Sequence, residues 1–170
     1  MKKSDTKFGI YVHVPFCSRR CDYCSFATWT DKEHLIEQYL ASCKAQADKW
    51  LPQLPSVTSI FVGGGTPNLV PASLLMNVVS ELPLADEVEF TVECNPDLVT
   101  SSQMETYVKA GVNRISLGVQ SMIPHVLESL GREHEPRNVQ LAVNEIRSAG
   151  IANLSFDLIY GAKGESIEDW

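Results

Sequence analysis

Predicted strands and helices alternate along the whole chain, and this alternation constrains the fold more than any other feature. Short runs rich in β-branched and aromatic residues are separated by segments whose apolar residues recur at helical spacing. The predicted strands are 9–14, 57–62, 88–92, 114–119 and 153–159, and the predicted helices are 31–51, 72–80, 100–110 and 136–149. Such alternation predicts βαβ units, a parallel sheet and therefore an α/β fold.

Capping signals mark the ends of two of these helices. Thr30 and Glu33 have the spacing of a capping box at the start of the first helix. Thr100 with Gln103 opens the third helix, and Gly111 closes it at the position that favours a left-handed backbone. These signals predict a first helix that begins near residue 31 and a third that ends before Gly111.

Length and charge limit the classes of protein that this chain can belong to. Its 170 residues suit one domain with a substantial core. Fourteen basic against 21 acidic residues give a net charge of −7, which argues against a nucleic-acid wrapper. The sequence contains no run of 18 apolar residues, so it predicts no membrane-spanning helix. The apolar run Ile10–Val14 is too short for the hydrophobic region of a signal peptide. We therefore expect a cytoplasmic protein without an integral membrane segment.

Three of the five cysteines lie within eight residues, directly after the first predicted strand. The cysteines are Cys17, Cys21, Cys24, Cys43 and Cys94. An odd number without an export signal argues against a disulfide framework. The polar residues between the first three make that segment an exposed loop rather than a core, so buried free thiols are the weaker interpretation.

The spacing Cys17-x3-Cys21-x2-Cys24 leaves two kinds of metal site open. A structural zinc ion takes four ligands, and His13 could supply the fourth only awkwardly from its position on a strand. An iron–sulfur cubane needs three thiolates for three irons, and the remaining iron can then chelate a substrate. The number of ligands favours iron–sulfur over zinc.

The other unusual polar residues also follow predicted strands. Glu93, Gln120 and Asp157 come at or near strand ends, and Gly63–Pro67 ends the second strand. In α/β proteins chemistry sits at the C-terminal ends of the strands, so these residues should share one rim with the cysteines. Taken singly, the glycine run could simply connect a strand to a helix, and Glu93 could be solvated.

The motifs together resemble the radical S-adenosylmethionine (SAM) superfamily. Within it, the segment Tyr11–Cys24 is most similar to the branch that contains the oxygen-independent coproporphyrinogen III oxidases and the HemW-type haem chaperones. Further motifs match in order: Gly63-Gly-Gly-Thr-Pro67, Glu93-Cys-Asn-Pro96, Asn113-Arg-Ile-Ser-Leu-Gly-Val-Gln-Ser121, Leu130-Gly-Arg-Glu-His134 and Asp157-Leu-Ile-Tyr-Gly161. The resemblance implies a partial, open (β/α)6 barrel in which about five parallel strands are present.

The resemblance implies two cofactors. Cys17, Cys21 and Cys24 would bind a [4Fe–4S] cluster, and the amino and carboxylate groups of SAM would bind its open iron. In this family the reduced cluster passes an electron to SAM, which yields a 5′-deoxyadenosyl radical, and the protein positions and shields these groups. Tyr11 and Tyr23 would flank the cluster and SAM.

The resemblance also assigns residues further along the chain to SAM. Gly64, Gly65 and Thr66 would let the backbone approach its methionine end, since glycine has no side chain to block it. Glu93 would accept hydrogen bonds from SAM. The positions that match contacts to a second SAM in the oxidase are Gln120, Arg132 and Asp157.

One position separates the two branches. The oxidase carries a further cysteine two residues after the third, where this chain has Phe26, the form typical of HemW-like proteins. The resemblance therefore implies a haem chaperone that passes haem to acceptor proteins, with a flavodoxin- or ferredoxin-type electron donor. The alternative is an oxidative decarboxylase of coproporphyrinogen III. Only the second would make the chain an oxidoreductase, so enzymatic activity stays open.

The resemblance covers the N-terminal half of the family pattern. We therefore expect residues 1–170 to form the N-terminal portion of a radical SAM core domain, with the last barrel strand and the C-terminal domain of the family outside this sequence. Haem is a further expected ligand, although no haem-binding residue can be named in this half.

Overall fold

Five parallel strands form a single open sheet in the computed structural model, which describes residues 7–170. The strands are β1 Gly9–Val14, β2 Val57–Gly64, β3 Leu84–Cys94, β4 Arg114–Gln120 and β5 Asn153–Leu158. Their order in the sheet is the order of the sequence, and every neighbouring pair is parallel. The predicted α/β class and the five parallel strands are confirmed.

Five α-helices connect the strands. They are α1 Ile36–Trp50, α2 Ala72–Val79, α3 Ser101–Lys109, α4 Pro124–Ser129 and α5 Pro136–Ser148. Along the sequence α1 packs on α2, α2 on α3, and α3 on α5. This continuous helical layer covers one face of the sheet. Sequential strand order with helices on one face is the arrangement of an opened (β/α) barrel rather than of a doubly wound sheet.

Predicted helix ends are correct for α3 and wrong for α1. The Thr100 side chain accepts a hydrogen bond from Gln103 N at 3.3 Å, and Gly111 has a φ of +93°. Helix α1 begins five residues later than predicted, after a 3-10 turn, and no side chain caps either element. The reason is that Trp29 still pairs with the end of β1 through Pro15 O, so the chain is extended where the capping box was expected.

The core lies between the sheet and its helices, because alternate strand residues point to opposite faces. Val14, Val62, Val92 and Ile115 are fully buried on the helix side. The other face carries polar residues, which the next section describes. The helices do not fully cover the last strand, β5, where Phe156 is 48% exposed. Among residues 7–170, no helix is long and apolar enough to cross a membrane.

Candidate functional site

A cavity of about 400 Å³ opens at the C-terminal ends of the strands. Eleven of the twelve residues predicted for the cluster and SAM line it. They are Cys17, Cys21, Cys24, Tyr23, Gly64, Gly65, Thr66, Glu93, Gln120, Arg132 and Asp157. Residues from four strands and three loops thus meet in one place, because parallel strands deliver their C-terminal ends to the same edge.

Tyr11 is the predicted site residue that lies outside the lining of this cavity. Tyr11 lies further from the C-terminal end of β1 than His13 does, and its hydroxyl is 2.9 Å from His13 Nδ1. His13 Nε2 is in turn 2.9 Å from Ala27 O, just beyond the third cysteine. Burial raises the pKa of Tyr11, and the Glu93 carboxylate raises it further. The pair therefore connects β1 to the cysteine loop from beneath the cavity, a contact that the sequence pattern did not reveal.

Glycine is required where β2 meets the cysteine loop. A Cβ at Gly65 would lie 2.6 Å from Phe16 O and 2.9 Å from Cys17 Sγ. Gly64 has a φ of +116°, and a Cβ there would lie 2.6 Å from the His13 ring. Gly65 N and Thr66 N donate to the carbonyls of Val14 and Phe16 at 2.7 and 2.8 Å. The glycine run therefore lets two backbone segments touch beside the thiols.

The three thiols are carried by the loop that leaves β1. Cys17 N donates to Trp29 O, and Cys24 N donates to Cys21 O, both at 3.1 Å. Burial raises the pKa of the Cys17 thiol, whereas the hydrogen bond from the Thr66 hydroxyl lowers it. The Thr66 hydroxyl lies 3.6 Å from Cys17 Sγ. The loop is thus closed on itself by backbone bonds, and all three of its cysteines line the cavity.

The placement of the thiols suits a cluster better than a single ion. Four ligands of one zinc ion stand roughly 4 Å apart around it. Within residues 7–170 no three His, Cys, Asp or Glu side chains converge on such a position. Thiolates of a cubane bond different irons and need no such convergence. Three cysteines on the wall of one cavity therefore fit a [4Fe–4S] cluster.

Glu93 is the penultimate residue of β3 and lies against the glycine run. Its Oε2 accepts a hydrogen bond from Gly64 N at 3.1 Å, and a Cβ at Gly63 would lie 2.6 Å from the same oxygen. Burial raises the pKa of Glu93, and the nearby Asp157 carboxylate raises it further, while the Gly64 N–H and His13 act in the opposite direction. Two carboxylates thus face one cavity, which suits a ligand that carries positive charge.

Gln120 has the only left-handed backbone among the non-glycine residues of the described chain. Its φ is +64°, and Ser121 N donates to Val119 O across it at 2.7 Å. The register between β4 and β5 shifts at the same point. A tight γ-turn of this hand is strained, and such strain concentrates at functional sites. The strained turn places the Gln120 side chain on the cavity wall.

Asp157 is held by a chain of polar groups across β4 and β5. The Ser116 hydroxyl donates to both carboxylate oxygens, at 3.0 and 3.2 Å. Since that hydroxyl has one proton, Ser155 must donate to Ser116 across their 2.9 Å contact. The Arg114 guanidinium donates to Ser155 at 3.0 Å and to Thr91 at 3.1 Å. Sequence reasoning missed this chain, because its members are joined only by strand register.

Arg132 reaches the cavity from the loop between α4 and α5. Its guanidinium donates to Gly118 O at 2.8 Å, to His134 Nδ1 at 3.2 Å and to Cys21 Sγ at 3.9 Å. His134 also lines the cavity and is 5% exposed. In the sequence His134 stands only within the matching motif Leu130–His134, and its burial was not predicted, since the short helix α4 that folds the loop inward was not predicted either. Cys94, which the sequence left unassigned, is buried in the same wall.

Comparison with known proteins places this site in a family. The family model described as the radical SAM superfamily matches residues 11–170. The chain is 38% identical over 171 residues to the protein named heme chaperone HemW from Mycobacterium tuberculosis, covering 95% of this chain and 44% of the relative. It is 36% identical to an oxygen-independent coproporphyrinogen III oxidase from Paracoccus denitrificans, covering 90% and 36%.

A solved structure agrees with both the fold and the sequence match. Coproporphyrinogen III oxidase (HemN) from Escherichia coli, described as a radical SAM enzyme, superposes with a TM-score of 0.87 at 26% identity. The match covers 96% of this chain and 39% of that one, so the chain spans less than half the length of these relatives. By its family match, its open parallel sheet and this similarity, the chain belongs to the radical SAM superfamily.

Proposed function

We propose that this chain provides the cluster- and SAM-binding half of a HemW-type protein, which binds haem and transfers it to acceptor proteins. The observation that carries the proposal is Phe26, which lines the cavity where the oxidase has a further cysteine. Relatives named HemW, at 31–38% identity, support the same branch. We further propose a cytoplasmic protein that is reduced by a flavodoxin- or ferredoxin-type donor.

Cys17, Cys21 and Cys24 would hold the [4Fe–4S] cluster of the family. The three thiols share one cavity wall, and their loop is closed by backbone bonds that do not involve the sulfurs. When bound, the cluster supplies the electron for reductive cleavage of SAM. The chain itself shields this place: the buried Phe16 ring packs edge-on against Tyr39, with ring centroids 5.4 Å apart, beneath the first cysteine.

SAM would lie across the strand ends. The glycine run offers close backbone approach, and Glu93 is a carboxylate whose raised pKa reflects burial without a full cationic partner. An ammonium or sulfonium group placed there would pair with it. Tyr23 would close the cavity beside the cysteines, and Gln120 and Asp157 would bind the ligand from the opposite side. The shape and charge of one cavity support these proposed roles.

Decarboxylation of coproporphyrinogen III is the second candidate. It is favoured by the 36% identity to the Paracoccus denitrificans oxidase and by the TM-score of 0.87 to the Escherichia coli oxidase. Both candidates need the cluster and SAM, so they differ only in what happens to the tetrapyrrole. Phe26 is 61% exposed and gives the cavity mouth an apolar surface in place of a thiol. This difference favours haem binding over the decarboxylase.

The test combines one assay for the shared site with one for the branch. The chain is reconstituted anaerobically with iron and sulfide, reduced, and examined by electron paramagnetic resonance with and without SAM. A [4Fe–4S]⁺ signal that changes with SAM is expected, and a cluster indifferent to SAM would contradict the proposed site. Haem titration with transfer to an apo-haemoprotein, run beside a coproporphyrinogen decarboxylation assay, separates the branches. Decarboxylation without stoichiometric haem binding would establish the second candidate.

A further inference from the structure

The loop between α4 and α5 is fastened to the cysteine loop at several points. Asp22 N donates to Leu130 O at 3.2 Å. Gly131 has a φ of +68°, and a Cβ there would lie 2.9 Å from the Asp22 carboxyl carbon. Arg19 forms an ion pair with Glu133. Residues 130–134 therefore form a brace, as we name this segment, against the loop that carries the three thiols.

Arg132 is the part of the brace that reaches a cluster ligand. Three of its five N–H donors are used, toward Gly118 O, His134 Nδ1 and Cys21 Sγ. The contact to Gly118 ties the guanidinium to β4, and the contact to Cys21 places a positive charge at the sulfur. The two remaining donors are free to meet a ligand in the cavity that Arg132 lines.

His134 fixes the orientation of that guanidinium. Its Nδ1 accepts from Arg132 Nε, which requires the tautomer that carries the proton on Nε2. Burial lowers the pKa of His134, and the Arg132 charge lowers it further, while the Asp97 carboxylate acts in the opposite direction. The lowered pKa favours the neutral ring, which has an acceptor at Nδ1 for Arg132 Nε. The ring is 5% exposed, so the surrounding residues restrict its movement.

We infer that His134 is a positioning residue for Arg132, and that the positioned guanidinium raises the reduction potential of the cluster bound at Cys21. This inference rests on the proposed [4Fe–4S] site. Hydrogen bonds to cluster sulfurs and nearby charge both set the potential, and a cationic donor stabilises the more negative, reduced cluster. A ligand that takes Arg132 away from Cys21 would lower the potential, so the tetrapyrrole or SAM side of the cavity and the cluster are coupled through one side chain.

The test measures midpoint potentials of reconstituted variants by redox titration followed by electron paramagnetic resonance. His134→Leu removes the acceptor, whereas His134→Asn restores an acceptor oxygen near the place of Nδ1. Arg132→Lys keeps the charge but cannot span three acceptors. Arg137→Met is the control, because Arg137 pairs with the exposed Glu135 outside the cluster cavity. We expect the electron-transfer equilibrium to shift about tenfold toward the oxidised cluster in the Leu and Lys variants, about 59 mV more negative.

A second readout needs no cluster. In the chain without iron, the Asp22 amide should exchange with deuterium about tenfold faster in His134→Leu than in the wild type, since the brace loses its anchor. His134→Asn and Arg137→Met should match the wild type in both readouts. A purely structural role would lower iron content but leave the potential of the clusters that do assemble unchanged. An unchanged potential, or unchanged exchange at Asp22, overturns the inference, whereas failure of the wild type to hold a cluster overturns the proposed function.

Discussion

Two walls of the cavity are built from different materials. The backbone wall, formed by the cysteine loop 17–29 and by Gly63–Thr66, is held by main-chain hydrogen bonds and by glycines that leave no room for a Cβ. The side-chain wall, formed by Gln120, Arg132 and Asp157, is held by polar side chains from β4, β5 and the brace. The backbone wall fixes the positions of the main-chain atoms around the cavity, and the side-chain wall fixes the positions of its charged and polar groups.

This difference determines how each wall responds to change. A Cβ added to the backbone wall must displace main-chain atoms, which are packed at close to crystal density and cannot yield cheaply. Removing one hydroxyl from the side-chain wall leaves a polar partner unsatisfied but the fold intact. We therefore expect large, all-or-none effects on the first wall and graded effects on the second.

The largest effect should come from the thiols of the backbone wall. Cys17→Ala, Cys21→Ala and Cys24→Ala should each abolish cluster assembly, because a cubane held by two protein thiolates loses one of its anchors. Cys43→Ala is the matched control, since Cys43 lies on α1 against the hydrophobic core and away from the cavity. Iron and sulfide content after anaerobic reconstitution measures the result, and equal loss of iron in all four variants would refute the assignment.

The next effect should come from the glycines beside those thiols. Gly65→Ala would place a Cβ 2.6 Å from Phe16 O, so we expect a loss of about 3 kcal/mol of unfolding free energy and of most cluster binding. Gly111→Ala is the control, because Gly111 has a φ of +93° but open space around it. There we expect about 1 kcal/mol and a normal cluster. Urea denaturation compares the two, and equal costs would show that close backbone contact is not what the wall depends on.

The sequence predicts the backbone wall better than the side-chain wall, for a physical reason. Cysteine spacing and the glycine run are local, so the residues that act together stand together in the sequence. Strand ends also bring Glu93, Gln120 and Asp157 to one rim in any parallel α/β fold. The Arg114–Ser116 side of the polar chain depends instead on the register between β4 and β5, which no local pattern fixes.

Two further features escaped sequence reasoning because tertiary contacts override local signals. The capping box at Thr30 gave way to pairing of Trp29 with the end of β1. His134 is buried beside Arg132, because the short helix α4, which was not predicted, folds the loop that carries it inward. Tyr11 was assigned to the cluster by resemblance, whereas the structure places its hydroxyl on His13, so its role at the cofactors stays a prediction.

On the side-chain wall, Ser116→Ala should weaken SAM binding about tenfold while the fold survives. The carboxylate of Asp157 would lose the donor that fixes both of its oxygens. In an Asp157→Asn background the same change should cost much less, because the two residues act as one unit. Isothermal titration measures the SAM affinity of the two single variants and the double variant, which form a double-mutant cycle. Ser129→Ala on α4 is the control for loss of a hydroxyl. If the losses of SAM-binding free energy in the two single variants add up in the double variant, Ser116 does not act through Asp157.

Gln120→Gly should act in opposite directions on stability and binding. Glycine adopts a φ of +64° without strain, so we expect the chain to gain about 1 kcal/mol in unfolding free energy. The same change removes the side chain from the cavity wall, so SAM should bind more weakly. Thermal unfolding and SAM titration together measure the trade, and a destabilised variant would mean that the γ-turn is held by the side chain rather than strained by it.

The smallest effect should appear as a change in pH dependence at Glu93, where the two walls meet. Burial raises the pKa of Glu93 above its ordinary value of 4.5, so the folded chain binds the proton more tightly than the unfolded chain does. Its contribution to stability is therefore fully present below the unfolded pKa and is lost as the pH rises through the folded pKa. Glu93→Gln, which keeps an acceptor for Gly64 N, should raise the unfolding free energy of the cofactor-free chain at pH 7 more than at pH 4.

The size of that gain should stay below about 1 kcal/mol, because Glu93 is only partly buried and water screens its charge. Glu105→Gln on the exposed face of α3 is the control and should show no such pH-dependent gain. Urea denaturation at the two pH values measures the difference. A gain in unfolding free energy that is larger at pH 4 would mean that the Glu93 carboxylate is paired with a cation in the folded chain. The cavity would then supply its own positive charge to Glu93, and the positive groups of SAM would not be needed for that pairing.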